Sequence, residues 1–499
     1  MTPPLKEFGP TVARQMATLR EQSLLREDLY IDGQWVQAAD GARLDVRDPA
    51  SGLPVASVAS ATVEDVKRAV CSAERARRDW AARTATERAD TLWRWHELLL
   101  AHEEPLAAIL TAEQGKPLAE ARGEIAYSAA FVRWYAEEAR RSYGEVIPQN
   151  RAGRRLFVIR QPVGVVAAIT PWNFPALMIA RKVAPALAAG CGVVLKPASE
   201  TPLSALALAE LGARAGLPAG ILNVVHGEAA VVGAALTSSS VVRMVTFTGS
   251  TEIGKLLMSQ CAHTVKHVTL ELGGNAPLIV FDDADLDQAV QGAIDAKFRN
   301  AGQTCVCANR MLVQSKIHDA FVDRFTEAVT RLKVGHGLDP EVTIGPLIDE
   351  AAVEKVEQHL RDAVTRGGRV ISGGHRHTLG GTFFEPTVLV GANPSMELAT
   401  GETFGPVAPF FQFGTEEEAV SLANSTESGL AAYFYTRDVG RVLRVGEGLE
   451  FGVVGVNTGS ISYEGAPFGG TKQSGLGREG SRHGLDEFLD LKYLCVDGI

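Results

Sequence analysis

The stretch "KFRNAGQTCVCANR", residues 297–310, sets Cys305 and Cys307 one residue apart among small and polar neighbours. Such a C-x-C can clip a metal, close a disulfide, or pair a nucleophile with a bystander. A zinc clip needs further Cys or His ligands at short spacing, and none follows here. A thiol nucleophile instead needs a thiolate, a donor that holds an oxyanion, and a base for a second step. Three segments hold candidates for these roles: Cys305 itself, the amide of Asn173 in "TPWNFP", and the carboxylate of Glu271 in "LELGGNAP".

Other motifs carry weaker signals. In "VTFTGSTEIGK", residues 245–255, a strand, a glycine turn at Gly249 and a helix opening with Ser250 would offer backbone N–H groups to a phosphate. The middle glycine of G-x-G-x-x-G is missing, so a plain structural turn is an equally good reading of that segment alone. The acidic run "FDDADLDQ" (281–288) has Gln288 and Ile294 where a calcium loop needs Gly and Glu, and reads as an acid-rich helix start. His375 and His377 in "GGHRHTLGG" lack further ligands and read as a solvated loop, so no metal site is expected.

The elements that must position these residues follow from periodicity. From "TVEDVKRAV" to residue 141 the chain is rich in Ala, Leu, Glu and Arg at helical spacing. Thr62 with Asp65 forms a capping box, and Val63, Val66, Ala69, Val70 and Ala73 make one apolar face. Val-rich strands then alternate with helices as far as "KHVTLELGG", which predicts an α/β fold with a doubly wound parallel sheet. A second alternating series from "APLIVFDDADLDQAV" to "GVVGVNTG" predicts a second α/β domain, and "DEFLDLKYLCV" a short terminal helix and strand. The uncharged run 161–180 contains Pro162, Pro171 and Pro175, which would break a spanning helix; a buried strand, a loop and a helix start are expected instead.

Composition narrows the class. The 499 residues are 46% apolar and 22% charged with a formal charge of −10, the balance of an ordinary globular protein and a poor one for binding nucleic acid. Six scattered cysteines suit a reducing compartment, and "MTPPLKEFGPTVARQMATLREQ" has no apolar stretch of signal-peptide kind. A cytoplasmic protein with no membrane partner is expected.

Taken in order, "TPWNFP", "VLKPASETP", "FTGSTEIG", "LELGGNAP", "NAGQTCVCANR", "ETFGPV" and "PFGGTKQSGLGREG" resemble the motifs of the NAD(P)-dependent aldehyde dehydrogenase superfamily, from about residue 30 onward. Within it, "FRNAGQTCVCANR" and "KQSGLGREG" resemble the succinate-semialdehyde dehydrogenases. The resemblance implies a Rossmann-like cofactor domain over 1–141 and 162–272, and a catalytic domain over 273–475. Segments 142–161 and 484–499 would form a small sheet joining subunits of a homodimer or homotetramer. It implies Cys305 as nucleophile, with Asn173 and the Cys305 backbone N–H holding the oxyanion. Hydride passes to the nicotinamide, and Glu271 then activates water against the thioester.

The same resemblance assigns the cofactor to Trp172, Lys196, Ser199, Gly249, Ser250, Glu402 and Phe404. Ser199 stands where NAD-using relatives often carry a glutamate, so NADP is favoured and NAD stays open, with Glu200 as the complicating neighbour. Arg181, Arg299 and Ser462 match the residues that bind the distal carboxylate of a semialdehyde. Succinate semialdehyde is the expected substrate; glutarate semialdehyde, one methylene longer, or a broader aldehyde range is the alternative, because a methylene discriminates by only ~1–3 kcal/mol. Cys307 is a bystander or a reversible disulfide partner of Cys305. Two rival classes are a cofactor-free cysteine thioesterase or hydrolase, which leaves the dinucleotide motifs unused, and a non-catalytic scaffold, which leaves Cys305, Glu271 and Asn173 unexplained.

Overall fold

A computed structural model describes residues 16–498, so the first fifteen residues of the leader lie outside the described residues. Strands Val165–Ile169 and Gly192–Lys196 consist of residues buried on both faces, which the continuous Val, Ala and Leu runs allow. They occupy the middle of an eight-stranded sheet. Its order is Gln34–Val36, Leu29–Ile31, Leu222–Val224, Gly192–Lys196, Val165–Ile169, Val242–Thr248, His267–Glu271 and Gly475–Leu476. The five inner strands are parallel, while Leu29–Ile31 and Gly475–Leu476 join antiparallel at the two sides.

Strand order reverses beside Val165–Ile169: the chain steps outward through Gly192–Lys196 and Leu222–Val224, then returns to the other flank at Val242–Thr248. A ligand crevice opens at such a reversal, beyond the carboxyl ends of the strands. The capping box at Thr62 and Asp65 forms as expected. Of the predicted face of that helix, Val66, Ala69, Val70 and Ala73 are buried but Val63 is 43% exposed. Periodicity gives the direction around a helix axis, not where along the axis its cover begins.

The second α/β series builds a seven-stranded sheet, ordered Arg369–Ser372, Thr387–Val390, Val407–Phe413, Ala308–Gln314, Ala276–Val280, Ala431–Tyr435 and Val453–Val456. All its pairs are parallel except the edge pair Arg369–Ser372 with Thr387–Val390. Its core contains Phe281, Phe321, Phe325, Phe410 and Tyr433, distinct from the core around Trp80, Trp95 and Tyr135 under the first sheet. The two sheets are joined through Leu272–Asn275, directly after Glu271. Strand Leu489–Asp497 pairs antiparallel along all of Arg154–Pro162, which pairs in turn with Glu145–Ile147. The run 161–180 is strand, turn and helix as expected, and among the described residues no helix is long and apolar enough to cross a membrane.

Candidate active site

Asn173 lies in the turn between strand Val165–Ile169 and helix Pro175–Ala189. Pro175 starts that helix at a position where its missing N–H costs nothing. The turn is pinned by its carbonyl: Asn173 O accepts from Lys116 Nζ at 2.7 Å and from Asn300 Nδ2 at 3.0 Å. The Asn173 side chain donates one N–H to Gln303 O at 3.0 Å, two residues before the nucleophile candidate. Its second N–H is left for the cleft, which Asn173 lines.

The segment before Cys305 is a left-handed bend. Asn300, Ala301 and Gly302 take φ of 52°, 55° and 78° in succession. Asn300 and Ala301, two non-glycine residues in a row at positive φ, are strained unless their surroundings hold them. The hold is explicit: Asn300 N donates to Glu120 Oε2 at 2.9 Å, and Gln303 Nε2 donates to Asn300 O at 3.1 Å and Pro346 O at 3.3 Å. Gln303 Oε1 accepts from Ile348 N at 2.9 Å. Gly302 is required twice over, because a Cβ there would collide with the Gly405 carbonyl. The bend delivers Cys305 partly exposed onto the floor of a cleft of about 360 Å³. The Cys305 backbone N–H has no acceptor among the described residues, so it and the second Asn173 amide N–H are donors on two residues that line the same cleft.

Cys307 is turned away. It is buried, its Sγ lies 3.2 Å from Lys297 Nζ, and its S–H donates to Lys297 O at 3.4 Å. Both thiols are free, and among the described residues no three His, Cys, Asp or Glu side chains are grouped to hold a metal.

Burial pushes the Cys305 thiol up to about 12, against the pull of Arg181 and Arg299; Glu402 and Glu271 push the same way as burial. Below that value each pH unit raises the thiolate fraction tenfold. Iodoacetamide alkylation of Cys305, read by peptide mapping, is therefore expected to quicken roughly tenfold per pH unit from about pH 7 to about pH 9 in the cofactor-free protein. A plateau below about pH 8 would contradict the desolvated thiol.

Glu271 ends strand His267–Glu271, only 4% exposed, and neither of its oxygens has a hydrogen-bond partner. Burial first and the Glu479 charge second raise its carboxyl well above the ordinary range, while Arg181, Lys182 and Arg478 pull it down. Glu479 is the counter-charge of this region. Although burial opposes its ionisation, Lys182 and Arg181 hold it below the usual carboxylate range. Lys182 Nζ donates to Glu479 Oε1. Arg181 Nε lies 2.9 Å from Glu479 Oε2, at an angle that makes it a charge contact rather than a hydrogen bond. Arg181 is buried, its guanidinium 3.8 Å above the Phe468 ring, and its Nη2 has no partner.

Of the other substrate candidates, Arg299 acts on Cys305 through its charge. It is half-buried, 5.0 Å over the Phe174 ring, and has no carboxylate at ion-pair distance among the described residues. Ser462 is half-buried, with its hydroxyl making no hydrogen bond among them. Tyr127, pushed up to about 12 by burial, feels Arg181, Glu464 and Arg299 together.

The cleft on the other side of Cys305 is lined by Trp172, Gly249, Ser250, Glu402 and Phe404. Trp172 and Phe404 meet edge to face at 5.5 Å. Glu402 Oε1 accepts from Gly274 N at 3.0 Å, and burial lifts its carboxyl to about 7. Gly274 has to be glycine, since a Cβ would strike the Cys305 carbonyl. Ser250 caps helix Thr251–Ala262 by accepting from Ile253 N at 3.3 Å, and the first turn's remaining N–H groups suit a pyrophosphate. Lys196 ends strand Gly192–Lys196 and donates to Pro197 O at 3.0 Å; Ser199 is half-buried and Glu200 exposed. A helix start at Ser250 and the half-buried Glu402 carboxylate share this cleft with Trp172 and Phe404 and fit a dinucleotide, while Lys196 and Ser199 are not among its lining residues.

Sequence reasoning missed the supports: Lys116, Glu124, Asn300, Gln303, Lys182 and Glu479. The signal for Lys116 was a lone cation between Gly115 and Pro117; Glu479 lay inside the quoted "GREG".

With this geometry in hand, comparisons with known proteins are direct. The family model described as "Aldehyde dehydrogenase family" matches residues 35–494. The chain is 57% identical over 484 residues to the 3-sulfolactaldehyde dehydrogenase of Pseudomonas putida, covering 97% of this chain and 100% of that protein. It is also 57% identical over 478 residues to the NADP(+) succinate-semialdehyde dehydrogenase GabD of Escherichia coli K12, covering 96% and 99%. A crystal structure of an E. coli NADP-dependent enzyme superposes with a TM-score of 0.95 at 57% identity, covering 95% of this chain and 99% of that one.

Proposed function

The chain belongs to the aldehyde dehydrogenase family, and from that premise we propose that it oxidises a small aldehyde with a distal anion, succinate semialdehyde foremost, using NADP in preference to NAD. The observation that carries the substrate class is Arg299, a guanidinium that feels the nearby Glu120 charge but has no carboxylate at ion-pair distance among the described residues, and whose charge, with that of Arg181, acts on Cys305 from outside the cofactor cleft. A carboxylate or a sulfonate matches a guanidinium fork equally well in charge. The two relatives at 57% identity act, by their names, on one of each.

Each residue then has a task. Cys305 gives up its proton to solvent water, and the thiolate sulfur adds to the aldehyde carbon. The Asn173 amide and the Cys305 N–H donate to the oxygen that becomes negative. The nicotinamide, when bound, supplies the hydride acceptor. Trp172, Glu402 and Phe404 would hold that end of the cofactor, Ser250 and Gly249 the pyrophosphate, and Lys196 with Ser199 the adenosine ribose. Glu271 takes a proton from water, whose oxygen attacks the thioester carbon; the carboxylic acid leaves and the Cys305 thiolate is restored. Ser199 leaves room for a 2′-phosphate beside the Lys196 ammonium, which supports NADP, while the exposed Glu200, whose charge acts on Lys196, works against it.

The deciding experiment is a spectrophotometric panel of succinate semialdehyde, glutarate semialdehyde, 3-sulfolactaldehyde and an uncharged aldehyde, each with NADP and NAD. A highest kcat/KM for the uncharged aldehyde would reject the anionic substrate, and a strong preference for NAD would reject the cofactor assignment. Arg299→Ala is expected to raise KM for the acidic aldehyde by ~10- to 100-fold, the worth of a charge-assisted hydrogen bond, while sparing the uncharged one. Equal losses for both would reject the clamp.

The chain would act as a homodimer or homotetramer. The reading is supported by the strands Glu145–Ile147, Arg154–Pro162 and Leu489–Asp497, which leave Val146, Leu491 and Tyr493 more than half exposed at 76%, 69% and 57%.

A further inference from the structure

Lys116 and Glu124 are a buried ion pair whose four contacts all lead to the turn carrying Asn173. Lys116 follows helix Glu103–Gln114 and Glu124 lies in helix Leu118–Glu138, with side chains 0% and 1% exposed and 2.6 Å apart. Besides Asn173 O, Lys116 Nζ faces the Phe174 ring, 3.9 Å from its centroid. Glu124 uses its other oxygen on the start of helix Pro175–Ala189, where Oε1 accepts from Ala176 N at 2.9 Å and Leu177 N at 3.2 Å. One residue of the pair thus holds the peptide after Asn173, and the other holds the helix that begins two residues later.

The pair is a costly way to make an ordinary core. Burying a lysine and a glutamate takes several kcal/mol of hydration from each, and an apolar replacement often serves stability as well. What an apolar pair cannot do is fix the rotation of one peptide. Residues 170–174 form neither helix nor strand, and among the described residues the hydrogen bonds that hold the Asn173 carbonyl come from Lys116 and Asn300. Clamping that carbonyl restrains the Asn173 backbone from which the side chain projects, while the bond from the amide to Gln303 O at 3.0 Å holds its other end.

We propose that Lys116, anchored by Glu124, is a positioning residue for catalysis that aims the Asn173 amide at the developing oxyanion. The inference rests on the reading of Asn173 as an oxyanion donor, and the test separates the two.

The test compares the full-length wild type with Lys116→Met, Glu124→Gln, Asn173→Ala and the double variant Lys116→Met/Asn173→Ala. The readouts are kcat and KM for succinate semialdehyde and the rate of Cys305 alkylation by iodoacetamide, a reaction that forms no oxyanion. Lys116→Met is expected to lower kcat ~10- to 100-fold, part of the loss from removing an oxyanion donor outright, with KM and alkylation within ~3-fold of wild type. In the double variant the added loss over Asn173→Ala alone should fall below ~3-fold, because a misaimed donor that is absent cannot be missed. An undiminished loss in the double variant, an equal fall in alkylation, or a wild-type kcat in Lys116→Met would overturn the proposal. If Asn173→Ala itself turns over like wild type, the oxyanion reading is what fails, and the proposal with it. Should Lys116→Met not fold, Glu124→Gln carries the same comparison, since it keeps the side-chain shape while taking the counter-charge from Lys116.

Discussion

Glu271→Gln is expected to release one equivalent of reduced cofactor per Cys305 in a burst and then stall, with steady-state turnover lower by ~10²- to 10⁴-fold, the usual range for a general base. Glutamine keeps the shape of a side chain only 4% exposed and free of hydrogen bonds, so packing changes little and proton acceptance is what is lost. The acid should then accumulate as a thioester on Cys305, visible as an acyl mass on the peptide that contains it. The pH profile gives an independent reading. A base must be unprotonated to act, and burial with Glu479 raises the Glu271 carboxyl. Wild-type turnover should therefore climb with pH above the ordinary carboxylate range, and that limb should vanish in the variant. A variant with neither burst nor thioester would place Glu271 before hydride loss, and undiminished turnover would remove it from the chemistry.

Asn173→Ala is the second large effect: kcat should fall ~10²- to 10³-fold, about 3–4 kcal/mol, with KM changed far less. The reason for the asymmetry is that the amide N–H meets a full negative charge only once the sulfur has added. The backbone clamp on the Asn173 carbonyl survives the substitution, while the link from its side chain to Gln303 O is lost. A melting temperature within a few degrees of wild type would show that the turn persists. Loss confined to KM would mean that Asn173 holds the ground-state substrate instead.

How far these roles were legible in the sequence depended on the distance over which the physics acts. Strands such as Val165–Ile169 were readable because a five-residue apolar run bounded by Gly164 and Pro171 is too short for a buried helix and suits a strand covered on both faces. The capping box at Thr62 was readable because both partners lie within one turn. Cys305, Asn173 and Glu271 stood out through ordered motifs. The ion pairs around them did not: Lys116 meets a carbonyl 57 positions along the chain, and Lys182 meets a carboxylate 297 positions away. No local spacing records such partnerships. Arg181 shows the same limit. By resemblance it is a substrate-clamp candidate, and what the resemblance does not convey is that its Nε lies 2.9 Å from Glu479 Oε2, with no hydrogen-bond partner for Nη2 among the described residues.

The return of the chain to the first sheet at Gly475–Leu476, with Glu479 just beyond it, bears on biosynthesis. Helix Pro175–Ala189 places two cations, Arg181 and Lys182, in the interior, and no carboxylate touches them until residue 479 has been made. An uncompensated interior charge costs several kcal/mol, a large share of the ~5–15 kcal/mol that holds a domain folded. Nascent or truncated chains lacking Glu479 should therefore keep the cofactor half loose and open to proteases. The anion that neutralises Arg181 and Lys182 thereby ties helix Pro175–Ala189 to a segment 297 residues further along the chain.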